Sequence, residues 1–110
     1  MHKLNIKPLS VNEAFTGRRF KTPKYKRYVK DMMIILPRLT VPESRLSVVI
    51  EFGFATAASD IDNACKQFID CISKKFSFND NRIYHLDVTK CVVGAGNEYI
   101  KFDINEYKKE

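Results

Sequence analysis

The chain lacks the marks of a membrane or secreted protein. No apolar run approaches the ~18 to 20 residues that a membrane span requires. Met1 to Ser10 carries Lys3 and Lys7 among alternating apolar residues, where a secretory signal would carry an unbroken apolar core. A soluble, cytoplasmic protein is expected. Cysteine is sparse and odd in number: Cys65, Cys71 and Cys91 contain no CxxC pair, which fits neither a disulfide framework nor a zinc knuckle. They read as small buried hydrophobes. Internal repeats and low-complexity segments are missing too, and nothing points to an organic cofactor.

What is present suffices for one domain. The 110 residues, 45% hydrophobic and 29% charged, can bury a core and leave no room for a second unit, so residues 1–110 are read as a single domain. The net charge of +6 is unevenly spread. Residues 1–30 hold nine basic groups against Glu13 alone, or +8; the remaining eighty hold ten basic and twelve acidic groups, or −2. One end of the chain therefore attracts polyanions. Its densest stretch, Thr16 to Tyr28, interleaves Arg18, Arg19, Lys21, Lys24, Lys26 and Arg27 with Phe20, Tyr25 and Tyr28. Cations beside aromatics suit phosphate contact and base stacking, which makes nucleic acid the natural partner. A merely solvated basic helix face is the competing explanation.

The hydrophobic pattern predicts strand, helix, strand, helix, strand, strand. Leu4 and Ile6 alternate with polar residues before Pro8 and suggest a short edge strand, followed by a polar loop to about Lys21. Thr22 caps a helix opened by Pro23, in which Tyr25, Tyr28, Val29, Met32, Met33 and Leu36 recur at three and four residue spacing until Pro37. Lys24, Lys26, Arg27 and Lys30 occupy the other face as an outward cationic ridge. Leu46, Val48, Ile50, Phe52 and Phe54 keep a period of two, the best strand signal in the chain. A second helix is expected from about Ile61 to Lys75, then strands at about Ile83 to Val93 and Tyr99 to Ile104. The fold class expected is α/β (α+β), a compact domain with a mixed β-sheet and two main helices.

The acids that could carry chemistry lie between Ser59 and Asp80. Asp60 and Asp62 fall where the best strand gives way to the second helix, beside free N–H groups and the positive end of the helix dipole, which favours their ionised forms. If the next strand returns beside the first, the loop holding Asp80 can complete a cluster of three carboxylates. Such a cluster persists only with a hard divalent ion or a bound proton. Oxygen ligands, with His2 and His85 elsewhere, favour Mg2+ or Mn2+ over zinc, and metal-assisted phosphodiester hydrolysis joins the acids to the basic arm. Lys66 shares a helical face with Asp62 and Asp70; it can neutralise a phosphate or pair with those acids. Plainer roles stand beside these: Asp60 as helix cap, Asp62 as first-turn dipole residue, Asp80 as turn residue between Asn79 and Asn81. A calcium loop is excluded, because counting from Asp60 puts Cys65 where the turn glycine belongs and Cys71 where the bidentate Glu belongs. A serine or cysteine nucleophile has no elbow motif near His85.

The string Asp60-Ile61-Asp62-Asn63-Ala64-Cys65-Lys66, with Asp70 and then Asn79-Asp80-Asn81-Arg82-Ile83, resembles the signature of the RusA-type Holliday junction resolvases of phages and prophages. Leu9-Ser10-Val11-Asn12 with Gly17-Arg18-Arg19-Phe20-Lys21-Thr22 is similar to that family's opening segment. The resemblance implies a RusA-like fold and a Mg2+-dependent homodimer that nicks four-way DNA junctions symmetrically, leaving 5′-phosphate and 3′-hydroxyl ends. By position it implies Asp60, Asp62 and Asp80 as metal-binding catalytic carboxylates and Lys66 as a catalytic lysine. Asn12, Arg18, Arg19, Lys21, Lys24, Lys26, Arg27 and Lys30 are the expected DNA-binding residues. Asn79 departs from the pattern, which has a second acid at that position. A dimer also follows from substrate symmetry: a junction needing two incisions is matched most simply by two copies of a chain with one acid cluster. A noncatalytic DNA-binding module, such as a phage regulator, and an RNA-directed nuclease are the alternatives.

Overall fold

The computed structural model describes residues 1–9, 15–16 and 20–108. Its elements are β1 (His2–Leu4), β2 (Phe15–Thr16), β3 (Phe20–Lys21), α1 (Pro23–Ile35), β4 (Leu46–Phe54), α2 (Ile61–Phe76), a 3-10 turn (Asp80–Arg82), β5 (Ile83–Val92) and β6 (Tyr99–Glu106). Four strands make one mixed sheet in the order β1-β6-β4-β5, with β4 parallel to β5 and antiparallel to β6. β2 and β3 form a separate two-stranded antiparallel ribbon, so the region expected as a loop contains two short paired strands. Two-residue strands are too short to print a hydrophobic period.

Local chemistry sets the element boundaries. The Thr22 side chain accepts the Tyr25 N–H at 3.1 Å and Pro23 opens α1, where a missing N–H costs nothing. The helix closes at Leu36, whose extended backbone suits the residue before a proline. α1 buries Tyr28 and Met32 and exposes Lys24, Lys26, Arg27 and Lys30. α2 buries Ala64, Cys65, Phe68, Cys71 and Ile72 and ends on Ser77 in the left-handed conformation.

Both helices cover one face of the sheet. The alternate residues Leu46, Val48, Ile50, Phe52 and Phe54 of β4 join Ile100 and Phe102 of β6 and the apolar faces of α1 and α2 in a single core. Phe68 sits at its centre, edge-on to Phe52 at 6.2 Å and to Phe102 at 5.4 Å between ring centroids. The result is a two-layer α+β domain. Cys65 and Cys71 lie in this core, and burial, followed by the charge of Asp70, pushes the Cys71 thiol up to about 12. Cys91 is only half-buried.

On the opposite face, Tyr99 lies across Gly53 and donates its hydroxyl to Glu51 Oε2 at 2.6 Å. The feature that matters most for function is the parallel crossover β4–α2–β5. α2 starts at the carboxyl end of β4 and runs back along it, about 24 Å for its sixteen residues. The two ends of the helix therefore lie at opposite ends of the sheet.

Candidate functional site

Asp60 occupies the N-cap position of α2, yet its side chain makes no capping bond. It accepts Asn63 Nδ2 at 3.4 Å, while Asp62 Oδ1 accepts the Asn63 N–H at 3.0 Å. Asn63 thus ties the two acids together. A hydrogen bond with Asp62 and then the charge of Asp62 raise the Asp60 pKa above the ordinary carboxylate value, with slight burial adding to the rise and Lys90 opposing it. At Asp60 the helix terminus does not set the direction of the shift, because a like charge in contact outweighs a partial positive charge spread over several N–H groups. Lys90 reaches over from β5 and donates to the carbonyls of Ala57 and Ser59, both at 2.6 Å, clamping the loop that delivers Asp60.

Asp62, Lys66, Asp70 and Asp80 line a groove of about 590 Å3 between α2 and β5, floored by Ile61, Cys65, Ile69, Leu86 and Val88. Lys66 Nζ stands 3.5 Å from Asp70 Oδ2, an exposed i,i+4 ion pair of small energetic weight. Asp80 opens the 3-10 turn, but Asn79 caps it by accepting the Asn81 N–H at 3.0 Å. Arg82 fixes the turn from below, donating to the carbonyls of Ser44, at 2.9 and 3.2 Å, and of Pro42.

The crossover separates the acids. Asp80 neighbours Ile69 at the far end of the groove, and Ile69 lies about 10 Å beyond Asp62 along the helix axis. The structure brings Asp60 and Asp62 together through Asn63 and leaves Asp80 at the far end of the groove that Asp62 lines. Among the described residues, no three His, Cys, Asp or Glu side chains gather closely enough to hold a metal ion. β5 does return beside β4, but in parallel, so the residue preceding β5 arrives at the other end of the sheet.

No family model matches the chain, and no curated protein does. Residue chemistry and geometry therefore carry the functional reading.

Among the expected DNA contacts, Lys21, Lys24, Lys26, Arg27 and Lys30 are exposed along β3 and α1, and Lys21 Nζ lies 4.9 Å from the centre of the Tyr25 ring. Asn12, Arg18 and Arg19 lie outside the described residues. Lys7 faces Asp60, Asn63 and Glu98 across a second cleft of about 430 Å3. Lys90 was missed by sequence reasoning, although it left a signal: it interrupts the apolar row Leu86, Val88, Val92 on the helix-facing side of β5. No described helix is long and apolar enough to cross a membrane.

Proposed function

We propose that this protein is a Mg2+-dependent, structure-selective endodeoxyribonuclease that acts as a homodimer on four-way junctions and related branched DNA in the cytoplasm of a bacterial host cell. The observation that carries the reading is the Asp60–Asp62 carboxyl pair, whose raised Asp60 pKa marks a place where a proton, or a cation in its stead, relieves repulsion. The resemblance to RusA-type resolvases supports it, as does the strongly basic first third of the chain.

The separation of Asp80 has a natural remedy in symmetry. Among the described residues β5 is an outer strand ten residues long, paired on one side only, and Tyr84, Leu86 and Val92 on it are exposed. Such an edge is a ready template for a second strand. Two copies joined across it by a two-fold axis run antiparallel, so the amino end of one β5 meets the carboxyl end of the other. Asp80 of each copy then approaches the Asp60–Asp62 pair of its partner, giving two three-acid sites for two symmetric nicks. Mg2+, or Mn2+ in its place, would supply Lewis-acid activation of water and charge neutralisation at the scissile phosphate. Asp60, Asp62 and the partner's Asp80 would hold that ion, Lys66 and Lys7 would contact phosphate oxygens, and the cationic ridge of α1 would bind the backbone without reading sequence.

The test is incubation with a synthetic mobile junction in Mg2+ and in EDTA, resolved on a denaturing gel. Paired nicks are expected in Mg2+ alone, and Asp62→Asn or Asp80→Asn abolishes them while junction binding persists or strengthens. One observation favours a second reading, a noncatalytic DNA-binding module: a single protomer leaves its three acids unassembled. That reading predicts metal-independent binding and intact strands in Mg2+ and in Mn2+.

A further inference from the structure

We propose that Tyr84, Arg45 and Tyr107 form a stacking platform for one unpaired nucleobase of branched or single-stranded DNA. The platform rests on the DNA-binding part of the reading above and is independent of cleavage.

Three side chains distant in sequence converge at the amino end of β4. The Tyr84 and Tyr107 ring centroids are 5.9 Å apart with the planes inclined by 31°, and the Arg45 guanidinium carbon lies 5.5 Å from one and 5.8 Å from the other. The backbone holds the group in place. The Tyr107 N–H bonds the Arg45 carbonyl at 2.8 Å, fixing the residue that follows β6. The β4–β5 register pairs Leu46 with Ile83 and then Ser47 with His85, which leaves Tyr84 as the extra residue of a bulge. Bulges re-aim side chains, and this one turns a large ring outward.

Burial does not account for the arrangement. Tyr84 is 60% exposed, the most exposed aromatic among the large hydrophobics of the described residues, and Arg45 is exposed beside it. Exposed cation–π pairs contribute little stability, so a purely structural purpose would leave most of the Tyr84 surface unused. An aromatic face with a guanidinium alongside matches a nucleotide, in which a flat base is joined to an anionic phosphate. An acidic peptide would engage Arg45 and leave the rings idle. The location also suits DNA: Tyr84 and Asp80 line the same depression of about 270 Å3, so a nucleotide stacked on Tyr84 has its backbone at the Asp80 end of the acid groove. Pairing across the β5 edge would use the strand's backbone and leave this face open.

The test measures binding in EDTA, where cleavage plays no part. Fluorescently labelled oligo(dT) of about twelve nucleotides is compared with an abasic strand of equal length and with duplex DNA. The wild-type protein should prefer oligo(dT) to the abasic strand. Tyr84→Ala should weaken oligo(dT) binding by about tenfold and erase that preference, with abasic and duplex affinities and the salt slope unchanged. Tyr84→Phe, which keeps the ring, should bind as the wild type does, and Tyr107→Ala should fall in the same direction as Tyr84→Ala. Unchanged oligo(dT) binding by Tyr84→Ala, or an equal loss on the abasic strand, would overturn the platform. A wild-type protein that binds duplex and junction without favouring bases overturns it while leaving the nuclease reading intact. Failure to bind any DNA overturns both. Base-dependent binding without nicking in Mg2+ keeps the platform and removes the nuclease.

Discussion

Replacing Gly53 by alanine should destabilise the protein through one identifiable collision. Gly53 is buried on central strand β4, and a Cβ placed there would lie 2.4 Å from both Cδ2 and Cε2 of Tyr99 and 2.9 Å from Cζ. Carbon atoms in favourable contact are about 3.5–4.0 Å apart, so the ring must move by more than about 1 Å. It is poorly placed to do so, because its hydroxyl is bonded to Glu51 at 2.6 Å and the ammonium groups of Lys3 and Lys101 each stand 5.1 Å from its centre. Overpacking costs about 1–3 kcal/mol and the loosened hydrogen bond about 1 kcal/mol, while removing a strand glycine returns roughly 0.5 kcal/mol, for a net loss of about 1.5–3.5 kcal/mol. In a domain of this size that lowers Tm by roughly 10 °C, readable by circular dichroism. The diagnostic comparison is a double-mutant cycle. With Tyr99→Ala in the background the collision is gone, and Gly53→Ala should be neutral or slightly stabilising, a coupling of about 2 kcal/mol. Gly94→Ala provides a contrast: nothing lies within 4 Å of its Cβ, but its φ of +86° makes alanine cost about 1 kcal/mol with or without Tyr99. An equal cost for Gly53→Ala in both backgrounds would refute the steric account.

Tyr28→Phe should raise stability by about 1 kcal/mol, seen as a higher urea midpoint at unchanged slope, because the Tyr28 hydroxyl is buried without a hydrogen-bond partner among the described residues. Mg2+ affinity, followed by calorimetry, should weaken as pH falls through the raised Asp60 pKa, since the proton competes with the ion. In the apo protein the sign is the reverse: Asp60's contribution to stability is greatest when the group is protonated and is lost as pH rises through its raised pKa. Asp62→Asn should lower that pKa, read by carboxyl carbon chemical shifts. Lys26→Ala with Lys30→Ala should weaken binding to all junction sequences alike and reduce the slope of log K against log salt by about 1.8; loss confined to particular sequences would count against phosphate contact.

The main elements were legible because their patterns are long and unmixed. Thr22-Pro23 and Pro37 bracket α1, five alternating apolar residues define β4, and the spacing from Ile61 to Phe76 defines α2, each within a residue or two of its observed limits. The pairing of Asp60 with Asp62 followed from their positions at a helix start, but the upward shift at Asp60 did not, since it depends on side-chain contact. Asp80 shows where a linear reading stops. A period of two marks a strand without giving its direction relative to a neighbour, and parallel pairing is what carries Asp80 to the other end of the sheet. The partners of Lys90 and Arg82 were opaque for another reason: they are main-chain carbonyls of Ala57, Ser59, Pro42 and Ser44, which no side-chain motif advertises. The Tyr84–Arg45–Tyr107 group depends likewise on a register shift at Ser47.

The most direct measurement asks whether two inactive variants repair each other. Asp62→Asn and Asp80→Asn proteins, co-expressed in equal amounts, give about half mixed dimers, each with one doubly mutated and one fully intact composite site. Nicking of a synthetic junction should return to about a quarter of the wild-type level, as single rather than paired cuts, although either variant alone is silent. A mixture that still dimerises and binds the junction but cuts nothing would contradict the shared site.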